Sequence, residues 1–213
     1  MKATSPNPKD QKPLTNKQQP KKKTMFYQKI IDYYFPEEIY RELRHILLTH
    51  SRSVAELARD ICQSHPELGA DSQFVYDAAM LHDIGIVRCD AAGIHCFGNE
   101  PYIRHGLLGA EMLTDYAAKY LPDFDITPYA RVCARHTGTG LTAKTIREQG
   151  LPLPEQDLTP ETMEEKIVCY ADKFFSKTKL DRCKTFDHAE KSLAKFGEEG
   201  VAVFQEWHRM FGC

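Results

Sequence analysis

No stretch of this 213-residue sequence approaches the roughly 18 consecutive apolar residues that a membrane-crossing helix needs. A membrane-spanning reading is excluded on that count. The seven cysteines, at 62, 89, 96, 133, 169, 183 and 213, form no C-x-x-C pair. An odd number without zinc-ligand spacing points to reduced thiols that mostly fill small core positions. Strand signals are scarce as well, and no internal repeat is present. The first 24 residues are Lys, Pro, Gln, Asn and Thr with almost nothing to bury, which predicts a disordered tail. They lack the apolar centre of a secretory signal, so the sequence predicts a cytoplasmic protein. Lys21-Lys22-Lys23 reads as part of a solvated tail, with a weak tether to RNA or an acidic partner as the rarer alternative.

Charge of one sign is also unevenly placed. The tail carries seven lysines and one aspartate, whereas 25–213 carries 21 basic and 29 acidic residues. An acidic folded part argues against non-specific nucleic-acid binding. What the sequence does have is helical periodicity from end to end. Ile39, Leu43, Leu47, Val54, Leu57 and Ile61 fall at three- and four-residue steps between Pro36 and Cys62, the stripe of a long helix that also carries His50. Ser72 to His82 is apolar over most of its surface and predicts a central, buried helix, with Gly85 as a left-handed stop. A polar loop, Arg88 to Glu100, leads to a third helix over about Pro101 to Tyr120, where His105 shares a face with Leu108 and Met112. Thr127-Pro128 and Thr159-Pro160-Glu161 are helix starts, for segments that end near His136 and Phe175. Thr142 to Gln149 allows a short helix, and 187–211 one or two terminal helices. The fold class is therefore all-α.

Separate helices thus place His50, the pair His82-Asp83, His105, His136 and Asp172 on otherwise apolar faces. Each histidine alone has a plain explanation as a hydrogen-bonded core residue. A buried carboxylate is harder to dismiss, because desolvating an unpaired aspartate costs several kcal/mol. Asp83 and Asp172 each need a cation, a basic partner or a proton. Convergence of all six on one or two divalent ions meets that need. Neighbours in mid-helix point about 100° apart, so His82 and Asp83 can aim at one ion only if the helix ends there. The alternative for Asp83 is a local backbone hydrogen bond near a helix terminus.

These residues resemble the HD superfamily of metal-dependent phosphohydrolases, specifically its HDIG-containing members. Met80-Leu81-His82-Asp83-Ile84-Gly85, the upstream His50-Ser51-Arg52-Ser53-Val54-Ala55 and the downstream Tyr170-Ala171-Asp172-Lys173 carry the resemblance over about residues 45–178. It implies a helical bundle around a metal cavity, with His50, His82, Asp83 and Asp172 as shared ligands. His105 and His136 match the extra histidines of the binuclear branches, where the carboxylate matching Asp83 bridges two ions. Arg135-His136-Thr137-Gly138-Thr139-Gly140 is similar to the symmetrical diadenosine tetraphosphate hydrolases. Gly150-Leu151-Pro152 and Thr159-Pro160-Glu161-Thr162 are closer to small HDIG proteins of archaea and bacteria without an established substrate. Thr137 stands where the cyclic-dinucleotide phosphodiesterase branch has a second histidine. Ile86-Val87-Arg88 departs from the tetraphosphate hydrolases, which have an early lysine there.

The expected activity is metal-dependent hydrolysis of a phosphoester or phosphoanhydride of a small nucleotide, with a dinucleoside polyphosphate as the leading substrate. His82 and Asp83 are the catalytic candidates, and imidazole plus carboxylate ligation suits iron, manganese or zinc. Arg88, Arg104, Thr137 and Lys173 stand nearest the ligands in sequence and are candidates for holding the substrate. His95 reads as a loop residue, with a gate or proton donor as the alternative. The rival functions are a nucleotide-sensing module without turnover and a structural bundle with polar core histidines. The expected partners are a small phosphorylated substrate, with no membrane or nucleic acid, and a homodimer stays open. The expected organisation is a tail at 1–24, an HD domain at 25–180 and a C-terminal helical extension at 181–213 packed on it.

Overall fold

A computed structural model describes residues 25–212, so the tail expected at 1–24 and Cys213 lie outside the described residues. The architecture is an all-α bundle. Helix α1 spans Phe26–Tyr34 and α2 spans Glu37–Ser64. α2 is kinked where Tyr40 leaves the helical range at φ −118°, ψ 31°. Ile39, just before the kink, is 71% exposed, outside the buried stripe that its spacing predicts. Of the remaining stripe residues, Leu43, Leu47, Val54 and Ile61 are buried and Leu57 is half-buried. α2 packs along α3, Ser72–Leu81, whose N-terminus is capped by the Asp71 side chain accepting from the Gln73 and Phe74 amides.

Gly85 does not stop α3 in a left-handed conformation. The chain passes through Asp83 (φ −103°, ψ 9°) into a 3₁₀ turn, Ile84–Arg88. Glycine is required there by packing instead: a Cβ would lie 2.0 Å from the His105 carbonyl oxygen and 2.4 Å from the Gly109 nitrogen. This close approach sets helix α4, His105–Tyr120, directly against the turn that carries Asp83. The expected Arg88 to Glu100 loop holds a small sheet. Its strands are β1, Cys89–Ala91, β2, Cys96–Phe97, and β3, Glu100–Pro101, in the order β2-β1-β3. β1 runs antiparallel to β2, with Asp90 opposite Phe97, and parallel to β3. Strands this short leave no period-2 signature in a sequence.

Two helix starts are shifted from their sequence signals. α5 spans Thr127–Arg135, and Thr127 is already inside it, its amide donating to Asp125 Oδ1 at 2.9 Å. α7 spans Met163–Asp172 and begins after Thr162, not at Thr159. Thr162 accepts the Glu165 amide while the Glu165 carboxylate reaches back to the Thr162 amide, a reciprocal cap stronger than the Thr-Pro signal upstream. Glu165 also accepts from Arg131 Nε at 2.7 Å, which ties α7 to α5. α6, Ala143–Glu148, lies between them. The chain closes with α8, Phe186–Leu193, and α9, Glu198–Phe211. The Tyr170 ring lies 5.2 Å from that of Phe204 and 5.1 Å from that of Phe211, which seats α9 against α7.

Candidate metal centre

Five elements deliver the six candidate side chains to one place. His50 comes from the middle of α2, His82 and Asp83 from the end of α3, His105 from the first residue of α4, His136 from just beyond α5, and Asp172 from the last turn of α7. The end of α3 is what allows the pair His82-Asp83 to converge, since the helical progression is broken between them. His82 Nε2 lies 3.0 Å from Asp83 Oδ2 and 3.5 Å from Asp172 Oδ1. His50 Nε2 lies 3.1 Å from Asp83 Oδ2 and 3.0 Å from Asp172 Oδ1. On the other side, Asp83 Oδ1 faces His136 Nε2 at 3.4 Å and His105 Nε2 at 3.5 Å.

Two donor groups result, His50-His82-Asp83-Asp172 and Asp83-His105-His136, and within each the ligand atoms lie within 4.8 Å of one another. Asp83 belongs to both, one oxygen towards each. His82 and Asp83 are wholly buried. His50 Nε2, His82 Nε2 and Asp83 Oδ1 are buried without a well-formed hydrogen bond, while Asp83 Oδ2 is held by an ion pair with Lys177.

The backbone fixes which nitrogens face inwards. His82 Nδ1 donates to the Ala79 carbonyl at 2.6 Å, His105 Nδ1 to that of Tyr102 at 2.7 Å and His136 Nδ1 to that of Cys133 at 2.7 Å. A carbonyl only accepts, so each Nδ1 carries a proton, and in the neutral ring the Nε2 lone pair points at the cluster. His105 Nε2 and His136 Nε2 stand 2.9 Å apart. Two lone pairs at that distance repel unless a shared proton or a metal cation sits against them. The nearby thiols face away, with Cys133 Sγ donating to the Leu81 carbonyl and Cys169 Sγ to that of His136, each at 3.3 Å. Imidazole and carboxylate donors without thiolate fit borderline to hard divalent ions.

The electrostatics are divided in the same way. Burial disfavours a charged His82, but Asp83 and Asp172 outweigh it and raise its pKa to about 9. The field that holds a proton there favours a divalent cation equally. On the other side, burial and the neighbouring His136 hold His105 at about 3, and burial lowers His136 too. Burial opposes ionisation of both aspartates. His82 and Lys177 nevertheless keep Asp83 well below the usual carboxylate range, and Lys173 with His50 does so for Asp172.

Of the residues expected to hold substrate, Lys173 reaches the cluster. Its Nζ lies 2.7 Å from Asp172 Oδ2 and donates to the His136 carbonyl. Thr137 is half-buried directly after His136. The arginines are engaged elsewhere, Arg88 with Glu111 at 3.4 Å and Arg104 with Glu100 at 2.5 Å. Sequence proximity to a ligand does not place them at the cluster, because each points to a glutamate on α4 or β3.

Sequence reasoning missed Lys177, whose Nζ lies 2.6 Å from Asp83 Oδ2, and Tyr102, whose ring stacks on His105 at 4.7 Å. Lys177 is four residues beyond Lys173, but α7 has ended, so helical spacing gives no signal for it. His95 takes a left-handed backbone at φ 59° beside the cleft that leads to Lys177.

The chain is 33% identical over 159 residues to the uncharacterized protein MJ0778 of Methanocaldococcus jannaschii, covering 74% of this chain and 81% of that one. It is 31% identical over 139 residues to a tRNA (cytidine(56)-2'-O)-methyltransferase of Picrophilus torridus, covering 65% of this chain and 34% of that one. The chain thus spans about a third of that relative's length. Among solved structures it is similar to the HD domain of the L. monocytogenes phosphodiesterase PgpH in complex with cyclic-di-AMP, at 16% identity and a TM-score of 0.49, covering 87% of this chain and 95% of that one. The HD domain model matches residues 47–176, a span that contains all six clustered ligand candidates, and the chain belongs to the HD domain family.

Proposed function

We propose that the protein is a metal-dependent phosphohydrolase that cleaves a phosphoester or phosphoanhydride bond of a small nucleotide-type substrate. One observation carries the reading: Asp83 is wholly buried and its two oxygens join two donor groups of histidine and aspartate. His50, His82, Asp83 and Asp172 would hold one divalent ion, and Asp83, His105 and His136 a second, with iron, manganese or zinc as suitable metals. Such ions, when bound, supply Lewis acidity towards a phosphoryl oxygen and lower the pKa of water.

The chain's own residues do the rest. The carbonyls of Ala79, Tyr102 and Cys133 lock the imidazoles of His82, His105 and His136 in the orientation and tautomer that ligation needs. Lys173 fixes Asp172 and bridges to the backbone after His136, so two ligand-bearing elements move as one. Lys177 brings a further positive charge beside Asp83 for a phosphoryl group.

The sequence resemblance to the tetraphosphate hydrolases favours a dinucleoside polyphosphate, handled in the cytoplasm by the 25–180 domain with 181–213 as its extension. The methyltransferase activity in the name of the longer relatives is not assigned to this chain. The test is a panel of dinucleoside polyphosphates, cyclic dinucleotides, mononucleotides and sugar phosphates, incubated with protein loaded with manganese, iron or zinc. Products are resolved by chromatography. Metal-dependent turnover of at least one class is expected. Tight nucleotide binding by fully loaded protein with no turnover of that nucleotide would support the nucleotide-sensing alternative instead.

A further inference from the structure

A cleft of about 660 Å³ lies beside the cluster, and a smaller one of about 320 Å³ adjoins it. Lys177 and Thr178 line both. The inner cavity runs between the Ala91–Ile94 turn, Tyr102 and Lys177, and the outer one continues past His95 to Lys179 and Arg182. Lys177 is therefore the residue at which open space meets Asp83. Asp181, 3.8 Å from Arg182 Nε, is the one acid among the described residues that line the outer wall, against Lys177, Lys179 and Arg182. That local excess of positive charge stands out in a chain whose 25–213 segment carries 21 basic and 29 acidic residues.

The charges at the inner end point the same way. With Asp83 and Asp172 already paired with Lys177 and Lys173, the centre has no net negative charge before any ion binds. Divalent ions make it strongly positive, and an anion of matching charge is the complement. His95 holds its left-handed backbone at this mouth, a conformation that costs a non-glycine residue energy and tends to mark binding sites.

We propose that this cleft admits a phosphate chain of two or more phosphates, with Lys177 holding the phosphate nearest Asp83 and Lys179 and Arg182 holding a more distal one. The inference rests on the phosphohydrolase reading and adds to it the residues that would hold successive phosphates of the substrate. Lys177 acts at the threshold. Lys179 and Arg182 measure chain length.

The test uses the full chain loaded with zinc, titrated calorimetrically with inorganic phosphate and with methylenediphosphonate, a diphosphate mimic whose bridge is not hydrolysed. Metal content is measured after each titration. The diphosphonate is expected to bind at least about tenfold tighter than phosphate, the size of one charge-assisted hydrogen bond. The double variant Lys179→Ala/Arg182→Ala should lose about that tenfold for the diphosphonate and keep its phosphate affinity within about twofold. Lys177→Met should weaken both ligands while retaining its metal. Wild-type affinities in these variants, with metal fully retained, would overturn the inference and leave the metal centre standing. A wild-type protein that takes up no metal would overturn the phosphohydrolase reading, and this inference with it.

Discussion

Asp83→Asn is expected to lose metal from both donor groups at once. The amide offers one acceptor oxygen in place of two and removes the negative charge that both groups share. It also leaves Lys177 without its carboxylate in a largely enclosed position, a kind of loss that costs about 3–5 kcal/mol in buried pairs. Loss of an outer partner of a metal ligand typically lowers affinity or activity about 10–100-fold, and loss of the shared ligand itself should exceed that range. Asp172→Asn is the informative comparison. Asp172 belongs only to the group with His50 and His82, so the ion held by His105 and His136 should remain. Elemental analysis of both variants, with circular dichroism to confirm folding, separates the cases. Full metal in folded Asp83→Asn would contradict the shared role.

Gly85→Ala is the second large effect, and it acts through the backbone. The added methyl would meet the His105 carbonyl oxygen at 2.0 Å and the Gly109 nitrogen at 2.4 Å. Neither is the end of a flexible side chain, so helix α4 itself must move. Overpacked cores lose about 1–3 kcal/mol, and a clash between two main chains belongs at the upper end or beyond. For a protein of this size about 3 kcal/mol corresponds to a fall in the unfolding midpoint of roughly 6–12 °C. Because His105 is the first residue of α4, occupancy of the second ion should fall as well. Gly93→Ala is the control, since a Cβ there meets nothing within 4 Å. An unchanged midpoint in Gly85→Ala would mean that the turn and α4 are not held together as described.

The helices and the six ligand candidates were legible because both depend on periodic, local signals. An apolar stripe with His50 on it can be read from spacing alone, and so can Leu108 and Met112 beside His105. What failed was whatever depends on the third dimension. A glycine after a helix is usually a left-handed stop, yet the role of Gly85 is to let α4 approach. Thr159 has the form of a cap, but Thr162 and Glu165 compete for the same start with a better pair of hydrogen bonds. The kink at Tyr40 and the short strands around Cys89 and Cys96 left no pattern long enough to read.

The same divide runs through the site. Arg88 and Arg104 stand near the ligands along the chain, but each pairs with a glutamate that sequence alone cannot locate beside it. Lys177 reaches Asp83 only because the chain turns after Asp172, and no motif encodes that turn. Metal-ligand types announce themselves by their rarity on apolar faces. Substrate-holding cations, common on any surface, do not.

The most direct test of the shared carboxylate is anomalous-difference crystallography at the absorption edge of the metal that copurifies with the protein. The expected result is two peaks about 3.5–4 Å apart, one beside each Asp83 oxygen, with His50, His82 and Asp172 around the first and His105 and His136 around the second. A crystal of metal-loaded protein in which every peak lies out of reach of Asp83 would contradict it.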